Sequence, residues 1–162
     1  MAACERHSSP QIVVPRGFVM DFASVPQQLQ SFISPVGRHG RAAIVHDFLY
    51  WEQRCTREQA DDLMRAAMTE SGVDPKDATA IYWAVRAGGG PPWEQNRIEH
   101  EKGWPRVIPE AALEIPADAD WSTYRRALFE QGVRPEPRNE GAADYCEGAS
   151  LVPRSSISAT CT

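Results

Sequence analysis

A chain of 162 residues with 42% hydrophobic content fits one domain of ordinary size with a modest core. Its formal net charge of -5, with no long Lys/Arg run, argues against a nucleic-acid partner; Arg38 and Arg41 are close but local. No apolar stretch approaches the roughly 20 residues of a transmembrane helix, and the first residues lack the apolar centre of a signal peptide, so a soluble protein made in a cytoplasm is expected.

Residues 1–10 are polar and read as a loose N-terminus. Two short apolar runs follow, residues 11–14 and 17–20, around Pro15 and Arg16; they predict a β-hairpin. Pro26, Pro35, Gly37 and Gly40 then punctuate a connecting region with Leu29, Phe32 and Ile33 beneath it. From Arg41 the pattern turns helical, with Val45, Phe48, Leu49 and Glu52 at i, i+3, i+4 and i+7. Thr56 and Gln59 form a capping-box signature for a second helix, whose stripe is Ala60, Leu63, Met64, Ala67 and Met68 and whose stop is Gly72. Asp74 and Pro75 start a third helix with Ala78, Ile81, Tyr82 and Val85 inward, and the run from Gly88 to Pro92 ends it.

Beyond Trp93 prolines interrupt nearly every candidate element, and only residues 122–131 read as a helix. Residues 133–162 carry few large apolar groups, so they are expected to order only along a partner. The expected organisation is a core domain over residues 11–93 and a Pro-rich arm over 94–162. The predicted fold class is α+β: a short N-terminal β-hairpin packed on a three-helix core, with a long irregular C-terminal arm.

The four cysteines, Cys4, Cys55, Cys146 and Cys161, lack zinc-site spacing. Free thiols of a reducing cytoplasm are the first expectation. Pairing becomes the expectation if the protein ends outside a cell, as in a virus particle, and the spacing assigns no connectivity.

One stretch carries chemistry. His46, Asp47 and Tyr50 fall within one helical turn, beside the apolar stripe, and Asp61 lies beside the stripe of the next helix. The short connection makes those helices antiparallel neighbours, which can bring Asp61 to His46. A neutral imidazole oriented by a carboxylate is a general base suited to activating water. Asp47 is a candidate ligand for a hard cation such as calcium. A structural role is the alternative for each: a polar pair at the helix edge for His46 and Asp47, a carboxylate at the positive end of a helix for Asp61, solvation for Asp62.

His-Asp-x-x-Tyr at 46–50, followed by Ala-Asp at 60–61, resembles the phospholipase A2 superfamily over about 25 residues. The resemblance implies His46 as the base that activates water, Asp47 as a calcium ligand, Asp61 as the carboxylate that orients His46, and Tyr50 as its hydrogen-bond support. The chain departs from that pattern: neither Val45 nor Leu49 is a cysteine, and only Gly37 to Gly40 could stand for a calcium loop.

A longer resemblance covers about residues 12–93. Its ordered motifs are Val-Pro-x-Gly-Phe-x-x-Asp-Phe-Ala-Ser-Val-Pro (14–26), Gly-Arg-x-x-Arg-Ala-Ala-x-x-His-Asp-x-Leu-Tyr (37–50), Ala-Asp-x-x-Met (60–64) and Tyr-Trp-Ala-Val-Arg (82–86). They resemble a phage and prophage family, domain of unknown function 1353. That resemblance implies a phage origin, and it implies that Asp21 and Ser24 belong to the same site or its scaffold; a side-chain-to-backbone turn before Pro26 is their structural alternative. The functional expectation is a virion-associated protein of the tail or baseplate region, with other virion subunits as partners. The alternatives are an active ester or amide hydrolase acting on phospholipid or another part of the host envelope, and a non-catalytic binding module.

Overall fold

The computed structural model describes residues 11–20, 38–115, 118–138 and 141–148. Six α-helices lie within them: α1 Arg38–Glu52, α2 Arg57–Glu70, α3 Pro75–Gly88, α4 Gly90–Glu101, α5 Trp121–Glu130 and α6 Asp144–Gly148, with a single 3-10 turn at Glu110–Ala112. Helix α1 packs mainly on α2, α2 also packs on α3, and α4 closes against α1.

Each boundary of the first three helices has a local cause. The Thr56 hydroxyl accepts the Gln59 N–H while the Gln59 side chain accepts the Thr56 N–H, so two of the orphan donors at the start of α2 are satisfied. At its other end Gly72 takes φ +70, and the N–H groups of Gly72 and Val73 return to the carbonyls of Thr69 and Met68. Val73 is thereby buried in the same cluster as Met68. The Asp74 side chain then caps α3 by accepting the Lys76 N–H, with Pro75 in the first turn.

The predicted β-hairpin is absent, and the described residues contain no strand, so the α+β expectation is replaced by a helical fold. The turn at Pro15 and Arg16 does form, with the Phe18 N–H donating to the Pro15 carbonyl at 3.2 Å. Its second arm pairs elsewhere. Phe18 makes an isolated antiparallel bridge to Val107, with Val19 N–H to Arg106 O and Ile108 N–H to Gly17 O both at 2.9 Å. Gly17, at φ +85, lies so close to this segment that a Cβ would stand 2.3 Å from the Ile108 carbonyl oxygen. The buried Arg106 adds an Nε–H bond to the Val19 carbonyl. Hydrogen bonds offered by a distant segment win over pairing between two four-residue runs.

The arm is also less irregular than expected. The run from Gly88 to Pro92 ends α3 and at once begins α4, because proline's fixed φ suits a first helical turn as well as it blocks an interior one. The helix expected at 122–131 is α5, at 121–130, capped by Asp120. Farther on, α6 is fastened to the helical core by a disulfide between Cys55 and Cys146, so free thiols are not what the structure shows for these two.

Candidate functional site: a buried His–Asp pair between three helices

Because α1 and α2 are joined by only residues 53–56, α2 folds back along α1 and sets Asp61 against His46. The two carboxylate oxygens of Asp61 face different helices. Oδ1 lies 2.8 Å from His46 Nε2 and accepts the Tyr50 hydroxyl at 2.7 Å, both groups coming from α1. Oδ2 accepts Arg86 Nη1–H from α3 at 3.0 Å and, more weakly, Arg57 Nη1–H from its own helix at 3.5 Å. His46, Tyr50 and Asp61 are each 0% exposed, while the two arginines reach the surface.

Electrostatics fixes the protonation pattern. Burial pushes the Asp61 carboxyl up, but its hydrogen bonds with His46, Tyr50 and Arg86 outweigh burial and hold it below its ordinary value. Asp61 is therefore an ionised acceptor, and the proton of a neutral His46 ring sits on Nε2. That leaves Nδ1 as the basic nitrogen, and it is buried without a hydrogen-bond partner. Burial first, then the Asp61 charge, raises the Tyr50 phenol far above its usual range, so Tyr50 stays protonated and donates to Asp61.

Tyr50 is itself held from behind. Its ring meets Trp93 edge-on at 5.1 Å, and its hydroxyl lies against Gly89, where a Cβ would stand 2.2 Å from the oxygen. Only glycine fits between α3 and α4 with the phenol aimed at Asp61.

Residues 2–85 match the family described as "Protein of unknown function (DUF1353)", just over half of the chain. The chain belongs to this family. No curated protein and no solved structure matches it. The matched stretch of this DUF1353 member holds His46, Asp47, Tyr50, Arg57 and Asp61 and ends one residue before Arg86.

Of the residues singled out from sequence, the structure brings together His46, Tyr50 and Asp61. Asp47 is buried on the same turn of α1 but is not among the groups bonded to Asp61. Asp21 and Ser24 lie outside the described residues. Asp62 is not merely solvated, since it accepts the Tyr82 hydroxyl at 2.8 Å. Sequence reasoning passed over Arg57, Arg86 and Gly89. Arg57 could have been found as the i−4 neighbour of Asp61, and Arg86 closes the fourth motif; nothing local marks Gly89 among three glycines in a row.

Asp47, the expected calcium ligand, lies on α1 among the described residues of this DUF1353 protein. Among them no group of three or more His, Cys, Asp or Glu side chains is placed to hold a metal. Calcium takes six to eight oxygen ligands. Asp47 offers one carboxylate, and residues 38–40, expected as part of a loop, are the first turn of α1. Among the described residues no helix is long and apolar enough to cross a membrane.

Proposed function

We propose that this DUF1353 protein is a hydrolase of carboxylic ester or amide bonds in which His46 is the general base. The observation that carries the reading is the placement of the imidazole: Nε2 lies 2.8 Å from a buried Asp61 carboxylate oxygen, and Nδ1 is left without a partner. Nδ1 takes a proton from water as the water oxygen attacks the substrate carbonyl carbon. Asp61 stabilises the imidazolium so formed, and Tyr50 and Arg86 hold Asp61 in place. The imidazolium then returns the proton to the leaving oxygen or nitrogen as the tetrahedral intermediate collapses.

Resemblance to the phospholipase A2 superfamily at His46, Tyr50 and Asp61 favours a phospholipid ester of the host envelope as substrate. The resemblance of the four motifs to phage and prophage proteins favours a phage particle, at its tail or baseplate, as the place of action. The Cys55–Cys146 disulfide supports that destination, because such bonds persist outside a reducing cytoplasm.

A second reading draws on the complete burial of His46 and Asp61: a closed ionic network that ties three helices together in a non-catalytic virion subunit or binding module.

Hydrolysis of phosphatidylethanolamine/phosphatidylglycerol vesicles and of a soluble p-nitrophenyl ester by the purified oxidised chain decides between the two. With calcium or chelator present, His46→Gln is expected to lower turnover by roughly 10²–10⁴-fold, with helicity retained. Calcium dependence would assign Asp47 a ligand role. Absence of turnover on both substrates by a folded wild-type protein sinks the hydrolase reading, and its recovery from purified phage particles would then support the structural one.

A further inference from the structure

We infer that Arg86 is a positioning residue of this site: it clamps the outer oxygen of Asp61 and thereby sets which nitrogen of His46 is bare. The catalytic consequence rests on the hydrolase reading, but the structural one does not.

The inner oxygen of Asp61 already serves two donors, His46 Nε2–H and the Tyr50 hydroxyl. Neither carries a formal charge when the ring is neutral. The balance of a fully buried carboxylate therefore rests on what faces its other oxygen. There stand Arg86 Nη1 at 3.0 Å and Arg57 Nη1 at 3.5 Å, and of these only Arg86 is within good hydrogen-bonding distance. Arg57 is engaged in addition with the Arg86 backbone carbonyl at 3.1 Å. The only other carboxylate described near the Arg86 guanidinium is the half-exposed Glu58 of α2, at 3.9 Å, too far and too wet to take its place.

Remove Arg86 and burial acts on Asp61 against the donors on its inner oxygen, His46 and Tyr50, and the longer bond from Arg57, with no close guanidinium on its outer oxygen. A protonated Asp61 would donate to His46 Nε2, and the imidazole proton would have to move to Nδ1. The bare nitrogen would then face the carboxyl, and the ring would have no base to offer water. In this way a side chain that touches neither His46 nor any reacting atom decides whether His46 can act. The packing of α3 on α2 places Arg86 one turn beyond the buried Tyr82 and next to the fully buried Val85, so the guanidinium reaches Asp61 from an anchored helix.

The test is a long-range 1H–15N spectrum of the full-length oxidised chain labelled at its four histidines, with the His46 signals assigned by their loss in His46→Gln. At a pH where the ring is neutral, wild type is expected to show a protonated Nε2 and a bare Nδ1. In Arg86→Met the bare nitrogen is expected to be Nε2, and in Arg86→Lys the wild-type pattern should return. Where turnover is measurable, the acidic limb of the pH–rate profile of Arg86→Met should move up by about one to three pH units. A wild-type ring with its proton on Nδ1 overturns the inference, and so does a folded Arg86→Met with an unchanged tautomer and acidic limb. Should Arg86→Met not fold, Arg86→Gln, which keeps an N–H donor and loses the charge, is read by the same criteria. A wild-type protein without turnover but with the expected spectra fells the hydrolase and leaves the role of Arg86 standing.

Discussion

Two apolar clusters lie on either side of the His46–Asp61 pair, and they are assembled in opposite ways. The first draws Ala42 and Ala43 from α1, one turn before His46, together with Met64, Met68, Val73, Ala78, Ile81 and Val85. All come from three consecutive helices and the turn between two of them. The second begins one turn after His46, with Leu49 and Tyr50, and adds Cys55 and Ala60; it is completed by Ala143 and Cys146, which lie far along the chain. Helical periodicity builds the buried part of the first, with Met20 packed against it from the N-terminal segment. The second needs a loop closed over 91 residues and a covalent bond to keep it closed. The polar network stands where the two meet, with Tyr50 as a member of both the network and the second cluster.

The largest expected effect is on that junction. Asp61→Ala would leave the His46 ring, the Tyr50 hydroxyl and the Arg86 guanidinium without their common acceptor, and is expected to cost about 3–5 kcal/mol in urea unfolding. Its pH signature follows from the direction of the Asp61 shift. A carboxyl held below its ordinary 3.8 in the folded chain contributes stability that is full above that value and is lost as pH falls through the folded value. Wild type should therefore lose more stability than Asp61→Ala on acidification below about pH 4. Equal acid limbs would mean that the folded chain does not hold the Asp61 carboxyl below its ordinary value.

The next experiment separates the clusters. Cys146→Ser, or reductant added to wild type, is expected to lower stability by roughly 2–5 kcal/mol. Cys146→Ser should respond no further to reductant at this bond. Met68→Ala, in the fully buried part of the first cluster, should cost a similar roughly 2–5 kcal/mol but keep the full response to reductant. A Met68→Ala protein that has lost that response would show the two clusters to be one cooperative unit.

What could be read in advance divides along the same line. The three helices, the Thr56 cap, the Gly72 stop and the approach of Asp61 to His46 all rest on local spacings and a short connection. The missing hairpin does not. Residues 17–20 have the composition of a strand, but their partner is the 106–108 segment, and no local pattern says so. The start of α4 was hidden because a Gly-Pro-Pro run marks a boundary without giving its direction. The Cys55–Cys146 bond and the arginine clamp on Asp61 both depend on tertiary placement, which cysteine spacing and charge counts do not encode.

A smaller effect probes the wall behind Tyr50. Gly89→Ala would place a methyl 2.2 Å from the Tyr50 hydroxyl oxygen and 2.6 Å from the Val85 carbonyl. Overpacking of this kind is expected to cost about 1–3 kcal/mol. Tyr50→Phe, which removes the oxygen and its bond to Asp61, should make Gly89→Ala less damaging than it is in wild type. Costs that simply add would show that the phenol moves aside at no expense to its bond.

The smallest effect lies at the start of α2, where the local and the long-range regions share one side chain. Thr56→Ala removes an N-cap and is expected to cost about 0.5–2 kcal/mol whether or not reductant is present, because the cap serves only its own helix. Gln59 serves both regions at once. Its Oε1 accepts the Thr56 N–H, and its Nε2–H donates to the Cys146 carbonyl at 3.1 Å. The second bond depends on α6 staying in place. Gln59→Ala should therefore cost more in the oxidised chain than in the reduced one, whereas Thr56→Ala costs the same in both, as chemical unfolding of the four combinations would show. If the Gln59→Ala cost is also indifferent to reductant, α6 keeps its seat without the disulfide, and the second cluster is held by packing more than by its covalent tie.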